Sequence, residues 1–228
     1  MRTVIQERRN KEPTRREKRR LAILDAAREV FLQQGYGATS LNDIVSVSGG
    51  SLATLYDLFD GKAGLFRETI EQECQNFFGV LDSEDIDALP LREALRLVAR
   101  QFFDGVIQQP KMSLLRLVVA EAPQFPEIGV TFYNAGPARG REMVAAYIGK
   151  QSRRGLLKVD DPMRAADVFI ALVLGEYQMK MLCGEEVKLT PDEVDRHLDY
   201  ALDTFLKIYG PENLELAAQD ANACGACA

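Results

Sequence analysis

Three helix-start signals distributed along the chain restrict its fold more than any other feature of the sequence. Thr14-x-x-Glu17 and Ser40-x-x-Asp43 have the form of a capping box. In such a box the cap hydroxyl accepts the third N–H of the helix, and the acid reaches back to the cap's own N–H. Thr190-Pro191-Asp192-Glu193 adds a proline at the first helical position, where its missing N–H costs nothing. Apolar residues then recur at helical spacing: Leu24, Ala27 and Phe31 after the first signal, and Val194, Leu198, Ala201, Leu202, Phe205 and Ile208 after the last. No segment keeps a period of two between turn signals, so the expected fold class is all-α.

The same reading predicts helices over residues 15–34, 41–47, 52–58 and 62–80, with Gly35 stopping the first. An acidic stretch, 82–89, closed by Pro90, is the best internal boundary. Beyond it the pattern predicts helices over 91–108, 111–122, 137–154, 162–183 and 191–209, with a short or broken helix over 125–134. Gly210-Pro211 ends the last of them, and a poorly ordered tail is expected from about Leu214.

The net charge of −6 argues against a nucleic-acid partner, but its distribution argues for one. Residues 1–20 carry nine Lys/Arg and three Asp/Glu, whereas the remaining 208 carry nineteen and thirty-one, out of totals of 28 and 34. A basic arm on an acidic body can neutralise phosphates locally; the same arm also reads as a solvated tail. The most apolar stretch, 168–174, is far too short to span a bilayer, and the N-terminal charges are not followed by an apolar signal segment. Cys74 and Cys183 stand alone, which suits a reduced, cytoplasmic protein. Cys224-x-x-Cys227 has metal-ligand spacing but lacks a second pair, so neither metal nor cofactor is expected. His197 is the one histidine, read as a surface or interface residue, and no phosphate loop, nucleophile elbow or H-E-x-x-H motif accompanies it. An enzyme is therefore not expected, and no catalytic residue is assigned.

Function is concentrated in residues 41–58. Two short amphipathic helices flank Ser48-Gly49-Gly50-Ser51, with Ile44, Leu55 and Leu58 spaced to share a small core and Gly49 placed at a sharp reversal. Such a pair is common in α proteins, but its surroundings narrow the choice. Arg20-Leu-Ala-Ile-Leu-Asp-Ala-Ala, Phe31, Gly35-Tyr36, Thr39-Ser40, Asp43-Ile44, Ser48 to Ser51, Thr54-Leu55-Tyr56, Phe59, Lys62 and Leu65-Phe66 resemble, in register and without a gap, the DNA-binding domain of TetR/AcrR-type regulators. The resemblance implies phosphate contacts from Thr39, Ser51, Tyr56 and Lys62, base contacts from Leu52, Thr54 and Asp57, and core roles for Tyr36, Ile44, Leu55 and Phe59. Tyr56 also reads as a half-buried surface aromatic and Lys62 as an exposed helix-start lysine. Leu52 stands where a Lys or Arg is usual, Ala53 where Gly is common and Gly50 where an apolar residue is usual. The predicted reading helix thus has no base and one acid, Asp57, so positive charge must come from the arm and Lys62.

The stretch from Leu115 through Phe125-Pro126 and Phe132-Tyr133 to Gly136-Pro137 is similar to a subgroup related to the repressor AefR. The resemblance implies a flexible basic arm over 1–13, a helix-turn-helix domain over 14–66, a helical effector-binding and dimerisation domain over 67–210, and a flexible tail over 211–228. The expected partners are a double-stranded palindromic operator, a second copy of the chain and a small apolar effector of unknown identity that releases a repressor from DNA; no membrane is expected. Phe102, Phe103, Leu115, Val118, Phe132, Tyr133, Phe169, Val173 and Tyr177 are candidates for the effector pocket, although such residues are more often plain core. Apolar surplus on 162–183 and on the last helix makes Phe169, Ile170, Val173, Leu198, Ala201, Leu202 and Phe205 candidates for the dimer interface.

Overall fold

A computed structural model describes residues 14–75, 84–107 and 109–211. All regular structure among them is helical. The chain divides into two units, Met1–Gln72 with Leu117–Phe132, and Glu73–Arg116 with Tyr133–Ala228. The division does not follow the chain linearly: the segment around residue 120 joins the N-terminal helices rather than the body. Arg8 and Arg9 of the arm, the end of the predicted 62–80 helix, the tail after Pro211 and the Cys224–Cys227 pair lie outside the described residues.

The first unit holds α1 (Arg15–Gln34), α2 (Leu41–Ser48), α3 (Leu52–Phe59) and the start of α4 (Lys62–Gln75). Both capping boxes form: Thr14 and Ser40 accept the N–H groups of Glu17 and Asp43, whose carboxylates return to the cap N–H groups. α1 packs on α2, and α2 on α3. Ile44, Leu55 and Phe59 are buried along with Ile23, Leu24, Ala27 and Phe31 of α1. The core is aromatic at one end. Phe31, Tyr36 and Phe66 lie within 5.0–5.7 Å of one another, and Phe125 stands 5.3 Å from Tyr36. Phe125 lies between α6 (Gln109–Glu121) and α7 (Pro126–Tyr133), whose residues 117–132 belong to this unit.

The second unit is built from α5 (Leu91–Ile107), α8 (Arg139–Arg153), α9 (Pro162–Leu174), α10 (Tyr177–Leu182) and α11 (Pro191–Tyr209), with a 3-10 turn at Glu84–Ala88. α9 packs against α8, α11 and α5, and it supplies Ala165, Ala166, Phe169 and Val173 to the core. α11 starts with the predicted Thr190 box and packs on α5. Along that contact Arg92, Arg96 and Arg100 run opposite Asp203, Asp199 and Asp195 in four-residue steps. The Arg92–Asp203 pair is 2.5 Å long and Arg100–Asp195 3.2 Å, while Arg96 reaches both Asp199 and, at 3.1 Å, Asp195. These pairs are half-exposed, so each contributes at most about 1 kcal/mol, but together they fix the antiparallel register.

Two elements differ from the sequence reading. No helix starts at Pro137; the chain is already helical from Pro126 and passes through a π turn at Asn134–Ala138 into α8. Proline has no N–H for the bond four residues back, and the widened turn absorbs the gap. The expected 162–183 helix is two helices, broken after Leu174. Gly175 there takes φ +51, and the His197 ring lies 2.9 Å from where its Cβ would stand. His197 Nε2 is 2.8 Å from Val173 O, a carbonyl left unpaired by the break. A carbonyl can only accept, so Nε2 carries the proton and donates. His197 is thus half-buried beside the break, ringed by Phe103 and Tyr177, and retains part of its surface.

Candidate nucleic-acid interface

The helix α3, expected from the sequence to read DNA, owes its start to Ser51, whose hydroxyl accepts the Thr54 N–H at 3.2 Å and lies 3.0 Å from Thr54 Oγ1. Leu55 and Phe59 hold its inner face in the core. Ser51, Ala53, Tyr56 and Asp57 are left exposed, with Leu52 and Thr54 half-buried between the two faces. Tyr56 is 57% exposed, so its ring and hydroxyl are free to meet a ligand. The acid in this face, Asp57, pairs with Arg16 at 3.2 Å. That pairing offsets the one negative charge the helix would otherwise offer to phosphates.

The turn before α3 explains the Gly50 departure. Gly49 and Gly50 both have positive φ, +75 and +84, which favours glycine over a residue bearing a Cβ. Arg19, on α1, donates to Ser48 O at 2.6 Å and to Gly49 O, and its guanidinium fills the space a side chain at Gly50 would need. A cation from α1 thus closes the turn that an apolar side chain would otherwise fill. Arg20 is also used within the unit, pairing with Glu68 and lying over the Phe59 ring at 5.6 Å. Arg15, Arg16 and Lys18 remain exposed on the first turns of α1.

Thr39 and Lys62 are less accessible than the reading helix. Thr39 is buried and donates to Gly35 O at 2.6 Å. Lys62 donates to Gly37 O at 3.2 Å, and its ammonium sits 4.5 Å from the centre of the Tyr36 ring. Burial pushes the Lys62 ammonium down from its usual range, while Glu121 and Asp43 pull it back up. Glu121 itself accepts the N–H groups of Tyr36 and Gly37 at 2.8 and 2.5 Å. Sequence reasoning missed the roles of Glu121 and Arg19, because neither is signalled by local spacing.

Residues 23–69 match the family described as bacterial regulatory proteins, tetR family, and residues 93–211 match the AefR-like transcriptional repressor, C-terminal domain. The chain belongs to the TetR family of transcriptional regulators. It resembles the solved flavonoid-responsive regulator FrrA at 32% identity, with a TM-score of 0.75 over 86% of this chain and 98% of that one. A TetR-family regulator from Mesorhizobium loti gives a TM-score of 0.76 at 25% identity, over 87% and 100% of the two chains. The HTH-type regulator YvkB of Bacillus subtilis is 22% identical over 185 residues, 81% of this chain and 94% of that one. As a TetR-family regulator the chain is a DNA-binding transcriptional regulator, and α1, α2 and α3 lie within or across the matched DNA-binding region.

The regulatory candidates of this TetR-family chain fall in both units. Phe102, Phe103, Phe169 and Val173 are buried in the second unit, Leu115 and Tyr177 are half-buried there, and Tyr133 is 54% exposed. Val118 and Phe132 belong to the first unit. Phe103 lines a cavity of 270 Å³ with Arg100, Asp104, Ile107, Val187 and Leu189, and Tyr177 lines one of 320 Å³ with Leu189, His197 and Tyr200.

The dimer candidates need a correction. Phe169, Val173, Leu198, Ala201, Leu202 and Phe205 are buried within the single chain, where Phe169 and Phe205 meet edge to face at 5.2 Å. Having no surface left to offer, they cannot meet a second copy; only Ile170 among the seven retains some. The apolar surface of α11 is instead carried by Tyr200 and Ile208, 70% and 55% exposed. Among the described residues no helix is long and apolar enough to cross a membrane, and no cluster of three or more His, Cys, Asp or Glu could hold a metal ion.

Proposed function

We propose that the chain is a ligand-responsive repressor that binds a palindromic operator as a homodimer and leaves it when a small apolar effector binds. The observation that carries this reading is the exposed face of α3, with Tyr56 at its centre, held by the Ser51 cap and the Arg19-closed turn. Leu52, Thr54 and Asp57 are assigned to base edges, and Ser51, Tyr56 and the exposed cations of α1 to phosphates. Thr39 and Lys62 join the phosphate set only if complex formation exchanges their present partners. Repression accords with the AefR-like repressor match over residues 93–211.

Two half-sites on a two-fold axis would make a weakly charged reader specific. Tyr200, Ile208 and Ile170 are the surface that favours pairing. The effector is assigned to the second unit, where Phe103, Tyr177 and His197 supply aromatic walls beside the two cavities. FrrA is a flavonoid-responsive protein, so flavonoids with few hydroxyl groups are the first compounds to screen.

The test is selection of duplexes from a random pool, followed by titration of the winner across salt. A two-fold symmetric consensus with a steep salt slope is expected. Failure to enrich any sequence, or binding indifferent to salt, would reject the reading.

A further inference from the structure

The turn joining α1 to α2 is shaped around a side chain from a distant segment. Glu121, the last residue of α6, sets its two carboxylate oxygens on the N–H groups of Tyr36 and Gly37, at 2.8 and 2.5 Å. Gly35 and Gly37 make the approach possible: a Cβ on Gly35 would strike the Glu121 carboxylate, and one on Gly37 would stand 2.9 Å from the Phe125 ring. The same turn governs what lies beyond it. Gly35 O takes the Thr39 hydroxyl just before the Ser40 cap of α2, and Gly37 O takes the Lys62 ammonium at the start of α4. Two N–H groups of the turn that follows α1 therefore meet one anion, and the carbonyls beside them hold the entry to the reader.

We infer that Glu121 is a positioning residue for DNA binding: its carboxylate fixes the 35–39 turn, and through it the placement of α2, α3 and Lys62. The inference rests on the DNA-binding reading and adds to it the residue that seats the turn. α6 is one continuous helix whose residues up to Arg116 belong to the second unit and whose residues from Leu117 belong to the first. Loss of this one carboxylate leaves both N–H groups without their acceptor. Charge-assisted bonds of this kind fail steeply with distance. The reader then keeps its own fold but loses its seating.

The experiment uses the full chain, its Glu121→Ala and Glu121→Gln variants, and a duplex selected by the unmodified protein. Amide exchange is read at Tyr36 and Gly37 and within α2 and α3, and duplex affinity is read across salt. For Glu121→Ala, faster exchange at Tyr36 and Gly37 is expected, with α2 and α3 protected as before. Its Kd should rise about tenfold or more at unchanged salt slope, because no phosphate contact is removed. Glu121→Gln keeps one of two acceptors and should fall between. Unchanged exchange at the two amides, or unchanged affinity alongside faster exchange, overturns the inference. So does loss of protection throughout α2 and α3 in both variants, which would make Glu121 a folding residue only. If the unmodified chain selects no duplex, the DNA-binding reading falls first, and the inference falls with it.

Discussion

The Arg19 guanidinium lies across Gly50, bonded to the carbonyls of Ser48 and Gly49, so that a residue on α1 completes the turn of the reader 30 residues on. Arg19→Ala should destabilise the first unit by about 1–3 kcal/mol, since it leaves two helix-end carbonyls without their charged donor. Gly50→Ala should cost at least about 1 kcal/mol on backbone grounds at φ +84, and more because of the clash with Arg19. In the double variant the clash is gone, so the two losses should sum to less than their separate values. Denaturant midpoints of the four proteins, read from the first unit, check this; strict additivity would disconnect the two residues.

The inner and outer faces of α11 predict opposite behaviours. Phe205→Ala empties a fully buried site against Phe169 and should cost about 3–5 kcal/mol. A charge at Phe205 should unfold the second unit rather than separate subunits. Tyr200→Glu, at a position 70% exposed, should leave stability nearly unchanged and shift the proposed dimer to monomer. Sedimentation velocity with a parallel melt separates the outcomes; a folded Tyr200→Glu dimer would move the interface elsewhere.

How far the sequence could be read depended on the range of the interaction. The Thr14, Ser40 and Thr190 boxes were legible because cap and acid are three residues apart, and all three form. The two short helices of the reader, and its Ser51 cap, were legible for the same reason. Apolar periodicity revealed that Phe169, Leu198 and Phe205 are buried, but not by what; their own chain covers them, and a partner surface was read into the surplus. The break after Leu174 was illegible because the apolar pattern continues across it, while its cause, His197, comes from another helix. Glu121 was beyond reach altogether, since its partner Tyr36 lies 85 residues away.

The exposed reader makes a prediction about phosphate contacts. Tyr56 carries no charge, so Tyr56→Ala should weaken binding to all duplexes without altering the salt slope. A cation exposed on α1, such as Lys18, should differ: Lys18→Ala lowers affinity and reduces the slope by about one if the residue meets a phosphate. Anisotropy titrations at four or five salt concentrations measure both. Unchanged affinity in both variants would place the DNA on another face of the first unit.

The capping acids make stability depend on pH in a definite direction. The Asp43 carboxyl is held below its usual range by the Ser40 hydroxyl and N–H, and Glu193 by the N–H and hydroxyl of Thr190. A carboxyl depressed on folding contributes fully above its unfolded value, about 4, and loses that contribution as pH falls through the lower folded value. Both units should therefore weaken on acidification below about pH 4. Asp43→Asn should be less stable than the unmodified chain at pH 7, and the difference should shrink towards pH 3 as the parent loses the same bond. Midpoints of urea unfolding of both proteins across that range decide it. A difference that stays constant with pH would mean that the Asp43 charge contributes nothing to the cap of α2, and that the reader's entry is held by the turn beneath it alone.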